Sequence, residues 1–128
     1  MDRKEFINKT EEIYQRIFDA FEEIDPDIVE AEIQLDNITI SFENGTRFVL
    51  NRQAATSQIW LATKKKGYHF DFDPDKNAWI SDRDGGELFE ILSQSISELI
   101  SHVLVLWKPE KIKLFYSWFP FLKKIARR

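Results

Sequence analysis

The sequence predicts an α+β two-layer sandwich, in which two helices cover one face of an antiparallel sheet of about six strands. Three patterns lead to this fold class. Residues 3–24 carry an apolar stripe at helical spacing. From Ile28 the period changes to two, in short runs that turn signals separate as far as Trp79. A second helical stripe then begins at Leu88.

The length and composition are those of one globular domain with a single core, at 128 residues. We expect a domain over residues 1–101 and a basic, aromatic extension over residues 102–128. No apolar run approaches the roughly 18 residues of a spanning helix, and the charged, helix-patterned start is not expected to be a signal peptide. Cysteine is absent, which excludes disulfides, thiolate metal sites and cysteine nucleophiles and is compatible with a reducing cytoplasm.

The first predicted helix ends before Pro26, which cannot continue it. Its apolar stripe predicts a buried face on one side of the helix. The members of that stripe are Phe6, Ile13, Ile17, Phe21 and Ile24. Acidic residues fall on the opposite side of the helix. They are Glu5, Glu11, Glu12, Asp19, Glu22 and Glu23.

The acidic character continues past the helix through Asp25 and Asp27 to Glu30 and Glu32. The net charge of residues 1–101 is −10, from 11 basic and 21 acidic side chains, while residues 102–128 carry +6, from 7 basic and 1 acidic. One interpretation of this acidic series is a solvated face that keeps the protein in solution. The other is a surface that collects hard cations or a basic partner.

The strand pattern predicts which side chains face the core. Ala31, Ile33 and Leu35 are expected inward, before a turn at Asp36-Asn37. The following strand should bury three apolar side chains, and Asn44-Gly45 is a hairpin signal. Those three are Ile38, Ile40 and Phe42.

The middle of the predicted sheet has an unusual outer face. The strand over residues 47–52 should bury Phe48 and Leu50, and the next should bury Ile59 and Leu61. Trp60 then points outward among amides. It is either covered by a loop or second layer, or part of a flat docking surface. The residues of that docking surface are Asn51, Gln53, Gln58 and Trp60.

The rest of the chain predicts a strand over residues 68–72, a short strand around Trp79 and a helix after a loop over residues 81–87. The stripe of that helix predicts a second buried face, formed by Leu88, Leu92, Ile96 and Leu99. Residues 102–128 mix lysines with aromatic side chains and contain two prolines. This extension could pack between the helices, bind a membrane surface or a partner, or be incidental.

Specific blocks of the sequence resemble the frataxin family, in its bacterial CyaY-type branch. The blocks are Asn51-Arg52-Gln53, Gln58-Ile59-Trp60-Leu61, Gly67-Tyr68-His69-Phe70-Asp71, Trp79 and Ser81-Asp82-Arg83. The resemblance runs from about Glu5 to about Ser101 and implies the same two-layer fold.

The resemblance implies an iron-binding accessory and regulatory protein of iron–sulfur cluster assembly. Such a protein binds Fe²⁺ or Fe³⁺ weakly on an acidic ridge and docks on a cysteine desulfurase and its scaffold protein. By position, the implied ridge is Asp19, Glu22, Glu23, Asp25 and Asp27, flanked by Glu11, Glu12, Glu30 and Glu32. The implied docking surface is Asn51, Gln53, Gln58 and Trp60, with His69 in the matching motif.

Further expectations follow from the resemblance and from the residues. The protein should be cytoplasmic and monomeric, with self-association when iron is bound and no membrane or nucleic-acid partner. Metal and partner should compete where their footprints overlap on the ridge. The alternative function is iron storage or sequestration without a desulfurase partner.

Other classes of protein are less well supported by the residues. An enzyme is not predicted, because no Ser-His-Asp spacing or phosphate-binding glycine loop is present and the paired carboxylates lie on a solvated helix face. Trp60 with Arg47 and Arg52 nearby could form a stacking platform for nucleic acid. The negative charge of residues 1–101 opposes that hypothesis through phosphate repulsion.

Overall fold

The computed structural model describes residues 1–22, 26–27 and 29–103. The elements follow the predicted order of one helix, six strands and a second helix. They are α1 (Arg3–Glu22), β1 (Val29–Gln34), β2 (Asn37–Phe42), β3 (Arg47–Gln53), β4 (Gln58–Ala62), β5 (Gly67–Asp73), β6 (Ala78–Ser81) and α2 (Leu88–Val103). The described residues divide into two compact units, with the boundary between Leu88 and Phe89.

Helix α1 begins at a side-chain cap. The Asp2 carboxylate accepts a hydrogen bond of 2.8 Å from the backbone N–H of Glu5, which satisfies a donor that the helix itself cannot pair. The helix buries Phe6, Ile17 and Phe21, as predicted. Ile24 lies outside the described residues.

The buried face of α1 also contains two residues that the apolar pattern missed, Thr10 and Tyr14. Ile13, which was predicted in the stripe, is only half-buried. Thr10 can be buried because its hydroxyl donates to the carbonyl of Phe6, at 2.9 Å. The Tyr14 hydroxyl donates to the carbonyl of Asp36, at 2.7 Å. Both polar groups are therefore satisfied, which is what burial requires.

The six strands form one antiparallel sheet whose spatial order is the chain order, β1 to β6. One face carries the core of the first unit, and the predicted alternation is confirmed for β3 and β4. The buried side chains of this face include Ile38, Ile40, Phe48, Leu50, Ile59, Leu61, Phe70 and Trp79. Trp79 meets Phe6 of α1 edge to face, with 6.0 Å between ring centroids. Helix α1 therefore packs on the inner face of the sheet.

The prediction for the end of β1 is wrong. Ile33 and Leu35 were expected in the core, but they are 43% and 93% exposed. Two facts explain the difference. Among the strands that the structure describes, β1 is at the edge of the sheet and pairs only with β2. The turn consists of Leu35 and Asp36, one residue earlier than predicted, because Gln34 already pairs with Asn37.

The hairpin after β2 forms where Asn44-Gly45 predicted it. Gly45 has a φ of +88°, which L-residues rarely adopt, and its N–H donates to the carbonyl of Phe42 at 2.9 Å. Glycine is required there for the backbone to reverse.

In helix α2 the predicted stripe is buried at Leu88, Leu92, Ile96 and Leu99. The helix runs to Val103, two residues beyond the predicted limit of the domain. The predictions for the basic, aromatic extension lie outside the described residues from position 104 onward. No helix within the described ranges is long and apolar enough to cross a membrane.

Candidate docking face and acidic ridge

The outer face of the sheet brings together the five residues that were predicted to bind a partner. Strand pairing sets Asn51 opposite Trp60 and Trp60 opposite His69, while Gln53 lies opposite Gln58. Successive side chains on a strand alternate between faces, so all five project from the face opposite α1. We call these residues, with Asn37, Asp71 and Asp82 described below, the docking face.

The centre of the docking face is a stacked aromatic pair. The Trp60 indole and the His69 imidazole lie 4.2 Å apart between ring centroids, with an interplanar angle of 15°. Trp60 is half-buried and His69 is exposed. Aromatic rings that stack in this way attract one another. Because Trp60 is only half-buried, part of its indole remains in contact with water. Trp60 is therefore on the outer face rather than in the core.

The orientation of Trp60 is fixed by Gln58. The indole Nε1 donates to Oε1 of Gln58 at 3.0 Å. The other end of the same amide, Nε2, donates to Oδ1 of Asp71 at 3.1 Å and to Oδ2 of Asp82 at 3.4 Å. Each amide atom thus has an assigned partner, and this sets which way the amide faces.

The two carboxylates beside Gln58 were absent from the predicted site. Asp71 shares a face with His69 at the two-residue spacing of β5, so periodicity could have identified it. Asp82 lies in the loop after β6, and its Oδ2 lies 3.8 Å from Nδ1 of His69. Only the three-dimensional pairing of β5 and β6 brings that loop to the imidazole.

A second group of amides continues the docking face toward β2. Nδ2 of Asn51 donates to Oδ1 of Asn37, and Nε2 of Gln53 donates to Oδ1 of Asn51. Asn37 was also not predicted, because it had been assigned to a turn. The result is a polar surface from β2 to β5 with an aromatic pair at its centre.

The acidic ridge is exposed wherever the structure describes its side chains. Those positions are Glu11, Glu12 and Asp19 on α1, Asp27 in the following turn, and Glu30 and Glu32 on β1. The Glu22 side chain, Glu23 and Asp25 lie outside the described residues. Helix α1 and β1 contact each other. Glu30 and Glu32 alternate along β1 with the buried Val29, so they project from the face of the sheet opposite α1. Among the described residues, no three His, Cys, Asp or Glu side chains converge closely enough to hold a metal ion.

Glu11 differs from the rest of the ridge because it is bound by Arg52. Oε1 of Glu11 lies 2.7 Å from Nη1 of Arg52, and Oδ1 of Asp36 lies 3.0 Å from Nη2. Nη1 also donates to the buried Thr10 hydroxyl, at 3.3 Å. One buried arginine thus links α1, β3 and the turn after β1.

The charge of Arg52 is secured by these partners. Burial acts to lower the pKa of the guanidinium, but the hydrogen bonds and charges of Glu11 and Asp36 outweigh it, so its pKa is raised. Arg52 belongs to the inner face, where its guanidinium lies 5.2 Å from the Tyr14 ring centroid. Arg52 and Trp60 therefore lie on opposite faces of the sheet. The hypothesis that Arg52 joins Trp60 in a platform for nucleic acid is wrong.

Comparison with known proteins agrees with this architecture. A family model described as a frataxin-like domain matches residues 1–102. The iron–sulfur cluster assembly protein CyaY of Tolumonas auensis is 40% identical over 98 residues, which is 77% of this chain and 91% of that protein.

Two solved structures share the fold. Frataxin from Psychromonas ingrahamii has a TM-score of 0.69 and 35% identity, over 77% of this chain and 91% of that one. Trimeric frataxin from the yeast Saccharomyces cerevisiae has a TM-score of 0.61 and 27% identity, over 73% of this chain and 79% of that one. The predicted fold class, two helices with a six-stranded antiparallel sheet in two layers, is confirmed by this likeness.

Proposed function

Because the chain belongs to the frataxin-like family, we propose that it is an accessory and regulatory protein of iron–sulfur cluster assembly. It binds iron weakly on the acidic ridge. It docks on a cysteine desulfurase and the scaffold protein that receives the sulfur, and thereby modulates cluster formation. The chain contributes binding surfaces and no catalytic site, and it works in the cytoplasm.

The observation that carries the proposal is the docking face around Trp60. A soluble domain gains little stability from a tryptophan on its outer face, whereas partly exposed tryptophans are frequent anchors of protein interfaces. Here the indole is already oriented, by the stack on His69 at 4.2 Å and by the hydrogen bond to Gln58 at 3.0 Å. A preorganised anchor loses less conformational entropy on binding. The amides around it offer hydrogen bonds to a partner backbone or side chain.

The acidic ridge supports the iron-binding part of the proposal. Carboxylate oxygens are suitable ligands for hard cations. The side chains of Asp19, Glu30 and Glu32 are exposed and do not close around a common point. Such a surface holds cations through one or two oxygens and many waters, so binding is weak and unselective.

The ridge also supports docking, because a row of carboxylates attracts a basic partner surface from a distance. We expect metal and partner to compete for it. The protein is then a monomer in the absence of iron and self-associates when iron bridges ridges of different copies. Glu11 contributes less than its neighbours to both events, because Arg52 already balances its charge.

The alternative function, iron storage or sequestration without a desulfurase partner, needs the ridge alone. It gives no role to the docking face. The oriented Trp60 and its network of amides therefore favour the accessory function.

The test is binding to a bacterial cysteine desulfurase by interferometry, at about 0.05 M and about 0.3 M salt, which span the range over which surface charges become screened. The variant Glu30→Lys/Glu32→Lys reverses two described ridge charges. The control Asp75→Lys/Glu90→Lys reverses two exposed charges elsewhere. Salt-sensitive binding that is lost only in the ridge variant supports the proposal. Absence of binding by the wild type at both salt concentrations would leave the sequestration function.

A further inference from the structure

The turn between β1 and β2 exposes a bulky apolar side chain in an unusual backbone conformation. Leu35 is 93% exposed, the largest value among the large apolar side chains of the described residues. Its φ is +53°, in the left-handed region that favours glycine and that bulky residues rarely adopt. Ile33, two positions earlier, is 43% exposed. Isolated exposed leucines are common on proteins, but a strained one is not.

The backbone around Leu35 is held firmly. The carbonyl of Asp36 accepts hydrogen bonds from the N–H of Arg52 at 3.0 Å and from the Tyr14 hydroxyl at 2.7 Å. The Asp36 carboxylate binds the buried Arg52 guanidinium at 3.0 Å. Asp36, the residue after Leu35, thus makes three hydrogen bonds or ion pairs with Arg52 and Tyr14, and these contacts stabilise the turn. A conformation that the surroundings impose on a disfavoured residue points to a use of that residue.

The turn that contains Leu35 lies next to carboxylates of the acidic ridge. Arg52 binds Asp36 and Glu11 at once, so the turn lies beside the first carboxylate of the ridge. Glu32 on β1, three residues before Leu35, is exposed as well. Among the described residues, three carboxylates, Glu11, Asp36 and Glu32, outnumber the one arginine near this turn. An apolar projection beside such an acidic excess is complementary to an apolar pocket bordered by lysines or arginines.

We propose that Leu35, assisted by Ile33, is an apolar anchor that inserts into such a pocket on the protein that docks on the acidic ridge. This inference rests on the proposed function and extends its interface from the ridge to the β1–β2 turn. A second copy of the chain is disfavoured as the occupant. The turn of that copy is acidic as well, and Glu30 and Glu32 oppose edge-to-edge pairing of two β1 strands.

The test uses Leu35→Gly, since glycine adopts a φ of +53° without strain and keeps the turn while removing the anchor. Leu35→Met is the matched control, because it keeps an apolar side chain of similar size. Binding of each variant to a bacterial cysteine desulfurase is measured by interferometry at about 0.05 M and about 0.3 M salt. We expect Leu35→Gly to raise the Kd about tenfold or more. Leu35→Met should remain within about threefold of the wild type.

The salt dependence separates this contact from the charges of the ridge. The factor by which Leu35→Gly raises the Kd should be the same at both salt concentrations, because salt does not screen an apolar contact. The factor by which Glu30→Lys/Glu32→Lys raises the Kd should become smaller as the salt concentration rises. The melting temperature of Leu35→Gly should equal or exceed that of the wild type, which shows that the turn is intact.

Three results would overturn the inference. A Kd for Leu35→Gly within about twofold of the wild type would show that the side chain makes no contact with the partner. An unchanged Kd with loss of self-association in sedimentation would assign Leu35 to a second copy of the chain. Wild-type protein that binds no desulfurase at either salt concentration would overturn the proposed function, and this inference with it.

Discussion

Nη1 of Arg52 lies 2.7 Å from Oε1 of Glu11, and this ion pair attaches α1 to the third strand of the sheet. The same guanidinium reaches Asp36, so three separate segments meet at one side chain. We expect Arg52→Met to lower the free energy of unfolding by about 2–3 kcal/mol. The loss is limited because the Glu11 and Asp36 side chains are each 62% exposed and can be hydrated when Arg52 is gone.

Urea denaturation measures this loss, and Arg47→Met is the control. Arg47 begins the same strand but is exposed, so its substitution should change stability by no more than about 0.5 kcal/mol. Equal effects of the two substitutions would contradict a structural role for the ion pairs of Arg52.

Stability should fall at alkaline pH because of Tyr14. Burial raises the pKa of its phenol well above the ordinary value of 10.0. Above pH 10 the unfolded chain then releases a proton that the folded protein retains, so the free energy of unfolding falls as pH rises. Tyr14→Phe should lower stability at pH 7 by about 1 kcal/mol, through loss of the bond to Asp36. The substitution should also make the free energy of unfolding fall less steeply above pH 10.

Urea unfolding at pH 7, 9 and 10.5 provides the comparison for Tyr14. Tyr68→Phe, which removes a hydroxyl from β5, serves as the control. If the free energy of unfolding falls equally with pH in Tyr14→Phe and in the wild type, Tyr14 does not contribute to the pH dependence.

Trp60→Ala should separate binding from folding. Trp60 lies on the docking face, so its removal should weaken desulfurase binding at least about tenfold while lowering stability by less than about 1.5 kcal/mol. Trp79 is a suitable comparison, because it is buried against Phe6. Trp79→Ala should lower stability by about 3–5 kcal/mol. Interferometry and thermal unfolding on both variants test this, and comparable destabilisation by the two would mean that Trp60 is a core residue.

Iron binding should be displaced by other hard cations. The described acidic side chains are exposed and do not converge on one point, so selection by cavity size or geometry is absent from this part of the chain. We expect millimolar Mg²⁺ or Ca²⁺ to reduce Fe²⁺ binding in anaerobic calorimetry. Asp19→Asn/Glu30→Gln/Glu32→Gln should reduce it further by removing three of the proposed ligands. Iron binding that resists Mg²⁺ would indicate a closed site instead.

The sequence predicted the sheet well where both neighbours of a strand are present. In β3 and β4 the alternation of apolar and polar residues corresponds to the two faces, so Trp60, Gln58 and Asn51 were assigned to the outer face correctly. At the edge strand β1 the same alternation failed for Ile33 and Leu35. An edge has a neighbour on only one side, so an apolar residue near its end is not necessarily covered.

The polar parts of the site were less predictable, because they depend on partners distant in the chain. Arg52 and Glu11 are 41 residues apart, and Gln58 and Asp82 are 24 apart. A pattern of spacing within one strand or helix contains no information about such pairs. Tyr14 and Thr10 were missed for a related reason, since their burial depends on acceptors that only the folded backbone supplies.

The strand order of the sheet has a consequence for how the protein forms. In the part of the chain that the structure describes, each strand from β2 to β6 pairs with the strand before it, so these six strands form five consecutive hairpins. Contacts that are local in sequence close short loops and assemble quickly. During synthesis each hairpin can form as soon as its second strand has left the ribosome, in the order in which the strands are made. We therefore expect this sheet to assemble faster than a sheet whose neighbouring strands are distant in the sequence.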